Sequence, residues 1–348
     1  MTRHGYNILH RTKRRRQQAK APVPGSFSRT PSGDIERYCR PLNFAPARMT
    51  AASSAPARPA VVCADDYGLA PGVSDAIAEL IGAGRLSATS CMTTMADWRR
   101  AAAPLRELVR RAPADVGLHL TLTDQAPLSR ASGLAIDGRL PPLGRLLPRA
   151  LAHALPAAAL IDELRAQLDA FEDAWGAPPD YVDGHQHVHV LPGVREAVVA
   201  ELLRRYPVGR VWVRDCVEPP VRCLRRGEST AKAMFISALG AGLRRQLHAA
   251  GIPANDGFSG LHDFSTVRPF GDKMRRFLAA LGPRPLLHVH PGRVDAALLG
   301  CDALTTPREA ELAYLASDEF ADDLATAGVR PARFAELTEC AGSRASRR

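Results

Sequence analysis

Tyr-Val-Asp-Gly-His-Gln-His-Val-His, residues 181–189, is the stretch from which the rest of the chain is read. Asp183, His185, His187 and His189 occupy alternate positions in it. Side chains alternate between the two faces of an extended chain, so a strand here puts all four groups on one face. Such a face is not a hydrophobic core, because each buried polar group needs a hydrogen bond and each charge a counter-charge. A metal ion or a hydrated active site removes that cost; an exposed His-rich loop is the alternative.

Outward from this stretch, apolar runs alternate with amphipathic segments. Residues 59–68, Pro-Ala-Val-Val-Cys-Ala-Asp-Asp-Tyr-Gly, read as a buried strand whose carboxyl end delivers Asp65 and Asp66. A helix follows from Pro71, closed by Gly82 and Gly84. Residues 86–93 are β-prone, 96–111 helical, and 115–121 a third strand carrying His119. Residues 124–156, rich in Pro, Gly and Leu, form a long connection with a short helix of its own, a kind of segment that often contacts substrate. Further helices are expected over 157–175, 193–206, 230–250, 267–281, 307–315 and 318–327. Strands are expected over 209–215 and 285–290, the last with His288 and His290 on one face. Residues 252–260 are strand or turn, and Asn255 there either lines a pocket or turns the chain.

Six or seven strands interleaved with helices predict a parallel β/α architecture. The polar residues gather at strand carboxyl ends, the rim on which a β/α barrel carries its active site. A doubly wound open sheet, which binds at one switch point, brings four strand ends together less easily.

Composition bounds the rest. The 348 residues suffice for a sizeable core. Seven scattered cysteines without a Cys-x-x-Cys pair argue against a zinc finger or a disulfide scaffold and for a reducing, cytoplasmic setting. No apolar run approaches the roughly 18 residues needed to span a membrane, and no apolar segment follows the basic N-terminus as in a secretory signal. The net charge of +10 is concentrated at the ends: residues 1–48 hold eleven Lys or Arg against Asp34 and Glu36, and Arg344, Arg347 and Arg348 close the chain. The body is slightly acidic, so no nucleic-acid partner is expected for the folded domain. Residues 1–58, with the Lys13–Arg16 run, are expected to be a disordered basic extension, residues 59–340 the folded domain and 341–348 a basic tail. Met49 offers an alternative start.

Asp65, Asp66, His119, His185 and His290 form a donor set of oxygens and imidazoles without thiolate, which suits zinc or a harder divalent ion such as magnesium. Three protein ligands with open positions describe a catalytic site. The ion acidifies a bound water, a neighbouring carboxylate takes the proton, and a histidine opposite protonates the leaving group. Arg214 either holds a substrate oxygen through its planar fork or pairs with an acid such as Asp215 or Glu218.

Four motifs, Asp65-Asp66-Tyr67-Gly68-Leu69, Gly117-Leu118-His119-Leu120, Asp183-Gly184-His185-Gln186-His187-Val188-His189 and His290-Pro291-Gly292, occur in an order and spacing that resembles the YdjC-like carbohydrate deacetylases. That family includes a hopanoid-biosynthesis-associated branch and is related to the polysaccharide deacetylases. The resemblance implies an α/β fold, a single-domain distorted TIM-like (β/α) barrel. It also implies a hydrolase that removes an acetyl group from an N-acetylated sugar or glycoconjugate with one divalent ion, Mg2+ or Zn2+. Carried to this chain, it makes Asp66, His119 and His185 the metal ligands, Asp65 the general base and His290 the general acid. The plainer alternatives are a turn-capping Asp65 and a core hydrogen bond for His290. Asp183 and His187 are expected behind the ligands, Asp183 orienting a histidine; His189 and His288, like His187, are expected either to stand behind the ligands or to pack rather than to ligate. The chain departs from the commonest family form at Tyr67, where phenylalanine is usual, and at Gln186, which leaves substrate detail open.

The expected protein is therefore a cytoplasmic carbohydrate N-deacetylase acting on a carbohydrate or glycolipid, with a homodimer admitted. Its rivals are a metal-dependent phosphoesterase on a similar barrel, which would hold two or three ions, and a non-catalytic glycan- or nucleic-acid-binding protein using the basic head.

Overall fold

The computed structural model describes residues 57–130 and 133–338. The expected basic extension up to residue 56, the Met49 start and the 341–348 tail lie outside the described residues. The chain opens with β1 (Arg58–Tyr67), α1 (Pro71–Gly82), β2 (Ala88–Cys91), α2 (Asp97–Arg111), β3 (Asp115–Leu120), α3 (Leu143–Leu151) and α4 (Ala157–Trp175). It continues with β4 (Tyr181–Gly184), a 3-10 turn (His185–Val190), α5 (Val194–Arg205), β5 (Trp212–Val213), α6 (Pro220–Arg226) and α7 (Thr230–Ala250). Then follow β6 (Phe258–Ser259), α8 (Phe270–Leu278), β7 (Leu286–Val289), α9 (Ala296–Cys301), α10 (Thr306–Ala316), α11 (Asp318–Thr326) and β8 (Val329–Pro331).

All the strand pairings are parallel, in the order β5-β4-β3-β2-β1-β7-β6, with β8 joined to the start of β1. β1 is central, and its residues 60–64 are fully buried, as expected of a parallel strand covered on both faces. The two sheet ends meet through one parallel bridge, Val213 to Ala254, where Val213 N–H donates to Pro253 O at 2.9 Å. Side chains complete the closure. Asn255 Oδ1 accepts from Asp215 N–H at 2.7 Å, and its Nδ2 donates to Asp215 O at 2.8 Å. Glu218 accepts from Phe258 N–H at 2.9 Å and from Arg226 at 2.6 Å. Two-residue strands offer too few main-chain bonds to close a wall, so polar side chains satisfy the remaining groups. The barrel is distorted at this seam, and Asn255 belongs to it rather than to the cleft that holds the acids and histidines.

The quoted stretch departs from its expected form. β4 ends at Gly184, and residues 185–190 coil into the 3-10 turn with Gln186 (φ 52°) and His187 (φ 60°) in the left-handed region. The turn folds back so closely that a Cβ on residue 184 would lie 2.9 Å from His189 N, an approach that only glycine permits. Asp183 keeps its strand-defined direction, while the turn aims His185, His187 and His189. Among the described residues no helix is long and apolar enough to cross a membrane.

At the opposite end of β3, Asp115 accepts from Phe334 N–H at 2.7 Å, and burial raises its carboxyl to about 6. The unfolded value is about 3.9, so ionisation weighs against the folded state as pH climbs through this window and is fully felt above it. Asp115→Asn should therefore be more stable than the wild type by up to about 2–3 kcal/mol near pH 8, the advantage vanishing near pH 4. Urea unfolding at the two pH values checks this, and a difference that persists at the acid end contradicts it.

Candidate metal centre

Neighbouring residues of a regular strand point to opposite faces, so Asp65 and Asp66 cannot both serve one site without a break. β1 supplies it. Its register with β2 runs Cys63–Ala88 and Ala64–Thr89, then shifts so that Tyr67 meets Cys91, and Asp66 takes φ 71°. Left-handed backbone at a non-glycine residue is strain held by its surroundings, here at the point where two adjacent acids turn inward. Both are buried, and both line a cleft of about 400 Å³ at the carboxyl ends of the strands.

Asp66 Oδ1 lies 3.3 Å from His119 Nε2 and 3.0 Å from His185 Nδ1. Donors held about 2.0–2.1 Å from one tetrahedral ion stand roughly 3.3–3.4 Å apart, so the spacing fits a shared cation. His119 Nδ1 is 2.6 Å from Asp183 Oδ1, which fixes a proton on Nδ1 and turns Nε2 toward Asp66. Arg308 Nη2 takes Asp66 Oδ2 at 2.6 Å and leaves Oδ1 to the cluster. Burial alone would raise the Asp66 carboxyl, yet Arg308 and His185 hold it well below the usual range. Burial alone would lower His119, yet Asp183 and Asp66 push it up to about 10. Positive charge is thus favoured between these carboxylates, a demand that a divalent ion meets.

Asp65 is held differently. Arg214, fully buried just past β5, donates Nη1 to Asp65 Oδ2 at 2.8 Å and Nη2 to Oδ1 at 2.5 Å, and Nη2 also lies 2.5 Å from Asp183 Oδ2. Burial would raise the Asp65 carboxyl; the guanidinium outweighs it and holds the group well below the usual range. The expected substrate contact of Arg214 is corrected by this placement, because the side chain lies beneath the acids with no surface in the cleft. Nor are its partners Asp215 and Glu218, which pair with Arg244 and with Arg222 and Arg226. His288 Nδ1 and His290 Nε2 approach Asp65 Oδ2 at 3.5 and 3.8 Å. His290 lines the cleft, and burial lowers it to about 3.

The remaining histidines separate by environment. His187 stands edge-on to Phe258 and His288 with its Nδ1 buried and unpartnered, so it packs the cleft wall and, contrary to expectation, braces none of the trio by a hydrogen bond. His189 is buried behind the turn, its Nε2 3.0 Å from Arg214 O. Tyr67 points into the core and donates to Ala101 O at 2.9 Å, so its hydroxyl does not meet the cleft. The Cys63–Asp65–Asp183 and Asp65–His288–His290 groups also have donor spacing, but Arg214 fills the first and occupies both Asp65 oxygens in the second. The cleft walls are apolar: Leu143 and Leu147 from α3, Phe235, Ile236 and Leu239 from α7, with Phe264 beside them.

Sequence reasoning missed Arg308 and Glu311, both 1% exposed. Their signal is faint: residues 308, 311, 312 and 315 fall on one buried stripe of α10, and two of the four are charged where apolar residues belong.

A parallel α/β barrel whose strand ends converge two histidines and paired acids on one cleft defines a class of barrel proteins with an aspartate–histidine centre. Within it, this chain belongs to the YdjC-like protein family, whose family model matches residues 59–326. A mouse protein named carbohydrate deacetylase is 40% identical over 156 residues, covering 42% of this chain and 48% of its own length. A Yersinia enterocolitica protein named chitooligosaccharide deacetylase is 38% identical over 136 residues, covering 38% of this chain and 51% of its own. The chain spans about half the length of the curated relatives it matches. The crystal structure of an Enterococcus faecalis V583 protein, described as a candidate cellobiose-phosphate cleavage protein, shares the fold. Its TM-score is 0.60 at 18% identity, over 81% of this chain and 99% of that one.

Arg214→Met would leave Asp65 and Asp183 buried without their counter-charge, at a cost of about 3–5 kcal/mol. In the variant, burial without a counter-charge favours the protonated carboxyls, so their ionisation costs stability at neutral pH and protonation relieves it; the deficit should be largest near pH 7.5 and shrink toward pH 4. A variant as stable as the wild type at neutral pH, in denaturant titration, contradicts the assignment.

Proposed function

We propose that the chain is a cytoplasmic, metal-dependent carbohydrate N-deacetylase, an amide hydrolase that uses one divalent ion, Mg2+ or Zn2+. The observation that carries the reading is the presence in one cleft of the Asp66–His119–His185 trio and of Asp65 pinned by Arg214. The names of the mouse and Yersinia relatives favour the same chemistry. When bound, the ion would supply an acidified water and polarise the acetamide carbonyl.

Asp66 Oδ1, His119 Nε2 and His185 Nδ1 are its ligands in this reading, with Asp183 and Arg308 orienting the first two. Arg214 keeps Asp65 ionised and aims its oxygens, so that Asp65 accepts the proton of the attacking water. His290 is neutral at rest, because burial lowers it to about 3. It therefore works as a relay: the proton that Asp65 takes from the attacking water passes to His290 Nε2, 3.8 Å from Asp65 Oδ2, and from there to the departing amine as acetate leaves, which returns Asp65 to its ionised form and His290 to its neutral form. The apolar walls supplied by α3 and α7 suit a sugar bearing an apolar group, which keeps glycolipids beside oligosaccharides as substrates.

The test is acetate release from N-acetylated oligosaccharides and alkyl N-acetylglucosaminides, with chelator and with each metal restored. Release that stops with chelator and returns with one metal is expected; no release from any substrate contradicts the proposal. Asp65→Asn should keep its metal and lose at least about a hundred-fold in kcat. Near-normal turnover in that variant would remove Asp65 from the role of base.

A further inference from the structure

We infer that α10 is the element that backs the site and that Glu311 is a positioning residue for His290. The inference rests on His290 acting as the proton donor. Arg308 and Glu311 are three residues apart on one buried face of α10. Arg308 grips Asp66 on the ligand side at 2.6 Å. Glu311 grips the other side: its Oε2 accepts the backbone N–H of His290 at 2.6 Å. Gly292 N–H donates to Arg308 O at 3.2 Å, so the His290-Pro291-Gly292 turn is tied to the helix at both of its ends.

The second oxygen of Glu311 is engaged too. Oε1 lies 3.0 Å from His262 Nε2. The tautomer of His262 is set from the other side of the ring, where Nδ1 accepts from Phe264 N–H at 3.2 Å and faces Lys273 Nζ at 3.2 Å. The ring proton therefore sits on Nε2 and points at Glu311. Lys273, 2% exposed, is anchored in turn on Ser265 O at 2.6 Å and Asp263 at 3.1 Å. Phe264, at φ 59°, stands edge-on to the His290 ring at 5.1 Å. One buried carboxylate thus joins the strand end bearing His290 to the loop bearing Phe264.

His262, His290 and Glu311 have metal-ligand spacing. A protonated Nε2 has no lone pair to give an ion, however, and both carboxylate oxygens already accept hydrogen bonds. The cluster is a brace. Two N–H donors of fixed direction converge on Glu311, and only a carboxylate can accept both. A carboxamide offers one acceptor, and its NH2 would oppose either His290 N–H or His262 Nε2–H.

The test uses the full-length, metal-loaded chain on N,N′-diacetylchitobiose and an alkyl N-acetylglucosaminide. In Glu311→Gln, kcat should fall about ten- to a hundred-fold, as expected when a catalytic group is displaced by up to an ångström. In Glu311→Gln, KM should stay within about two-fold and metal content should match the wild type, since Glu311 itself neither lines the cleft nor touches the trio. In Glu311→Gln/His262→Phe the opposing donor is gone, the amide oxygen can accept His290 N–H, and most of the lost kcat should return. A role in folding alone would instead give additive losses in the double variant. An active wild type with Glu311→Gln within two-fold in kcat, a kcat loss that tracks metal loss, or a double variant no better than the single one overturns the inference alone. A wild type inactive on both substrates overturns it together with the deacetylase reading.

Discussion

Three carboxylates are taken out of water at the mouth of one barrel, Asp65, Asp66 and Asp183, and two guanidinium groups are buried with them. Each ion so placed costs several kcal/mol unless its partners are close and well aimed. Arg214 answers Asp65 and Asp183 together, and Arg308 answers Asp66. The fixed charges do not balance: three negative groups face two positive ones, and the deficit falls between Asp66 and Asp183, where His119 is pushed up to about 10. An ion held by Asp66, His119 and His185 would supply that positive charge in place of the second proton on His119. The electrostatics of the fold and the chemistry of the site are in that sense one problem.

The architecture serves this arrangement at several removes. The bulge in β1 lets adjacent acids face the same cleft, one toward the trio and one toward Arg214. Arg214 can lie under both because its backbone still bonds to β4, N–H to Val182 O at 3.1 Å, after the two residues of β5. Beyond that point the wall is short of main-chain bonds, and Asn255 and Glu218 hold the seam. The same strand-poor side places the apolar face of α7 along the cleft. On the other side, α10 supplies Arg308 and Glu311 from a segment with no strand in it.

Much of this was legible in the residues. Strand and helix order followed from apolar runs and their punctuation, and Asp65, Asp66, His119, His185 and His290 do line one cleft. The alternation over 181–189 misleads for a physical reason: period-two spacing describes a strand only while the backbone stays extended, and Gly184 admits a tight return that no periodicity announces. His185 still reaches Asp66, but by way of the turn. Arg214 was drawn to the right strand end with the wrong partners, because sequence does not say which acid lies across a barrel; its nearest acids in the chain, Asp215 and Glu218, are engaged with other arginines. Arg308 and Glu311 are hard to find from sequence because a charged residue in an amphipathic helix ordinarily faces water. Short elements such as α6, α9 and β8 lack the length that gives a pattern its signal.

The central claim is that one cation completes the charge balance between Asp66, His119 and His185. Titration of the full-length chain with Co2+, followed by equilibrium dialysis and the visible spectrum of the bound ion, tests it most directly. The account predicts one ion per chain with nitrogen and oxygen ligands, lost in His119→Asn. Binding of no ion, of two or three, or of one that His119→Asn leaves undisturbed would contradict it.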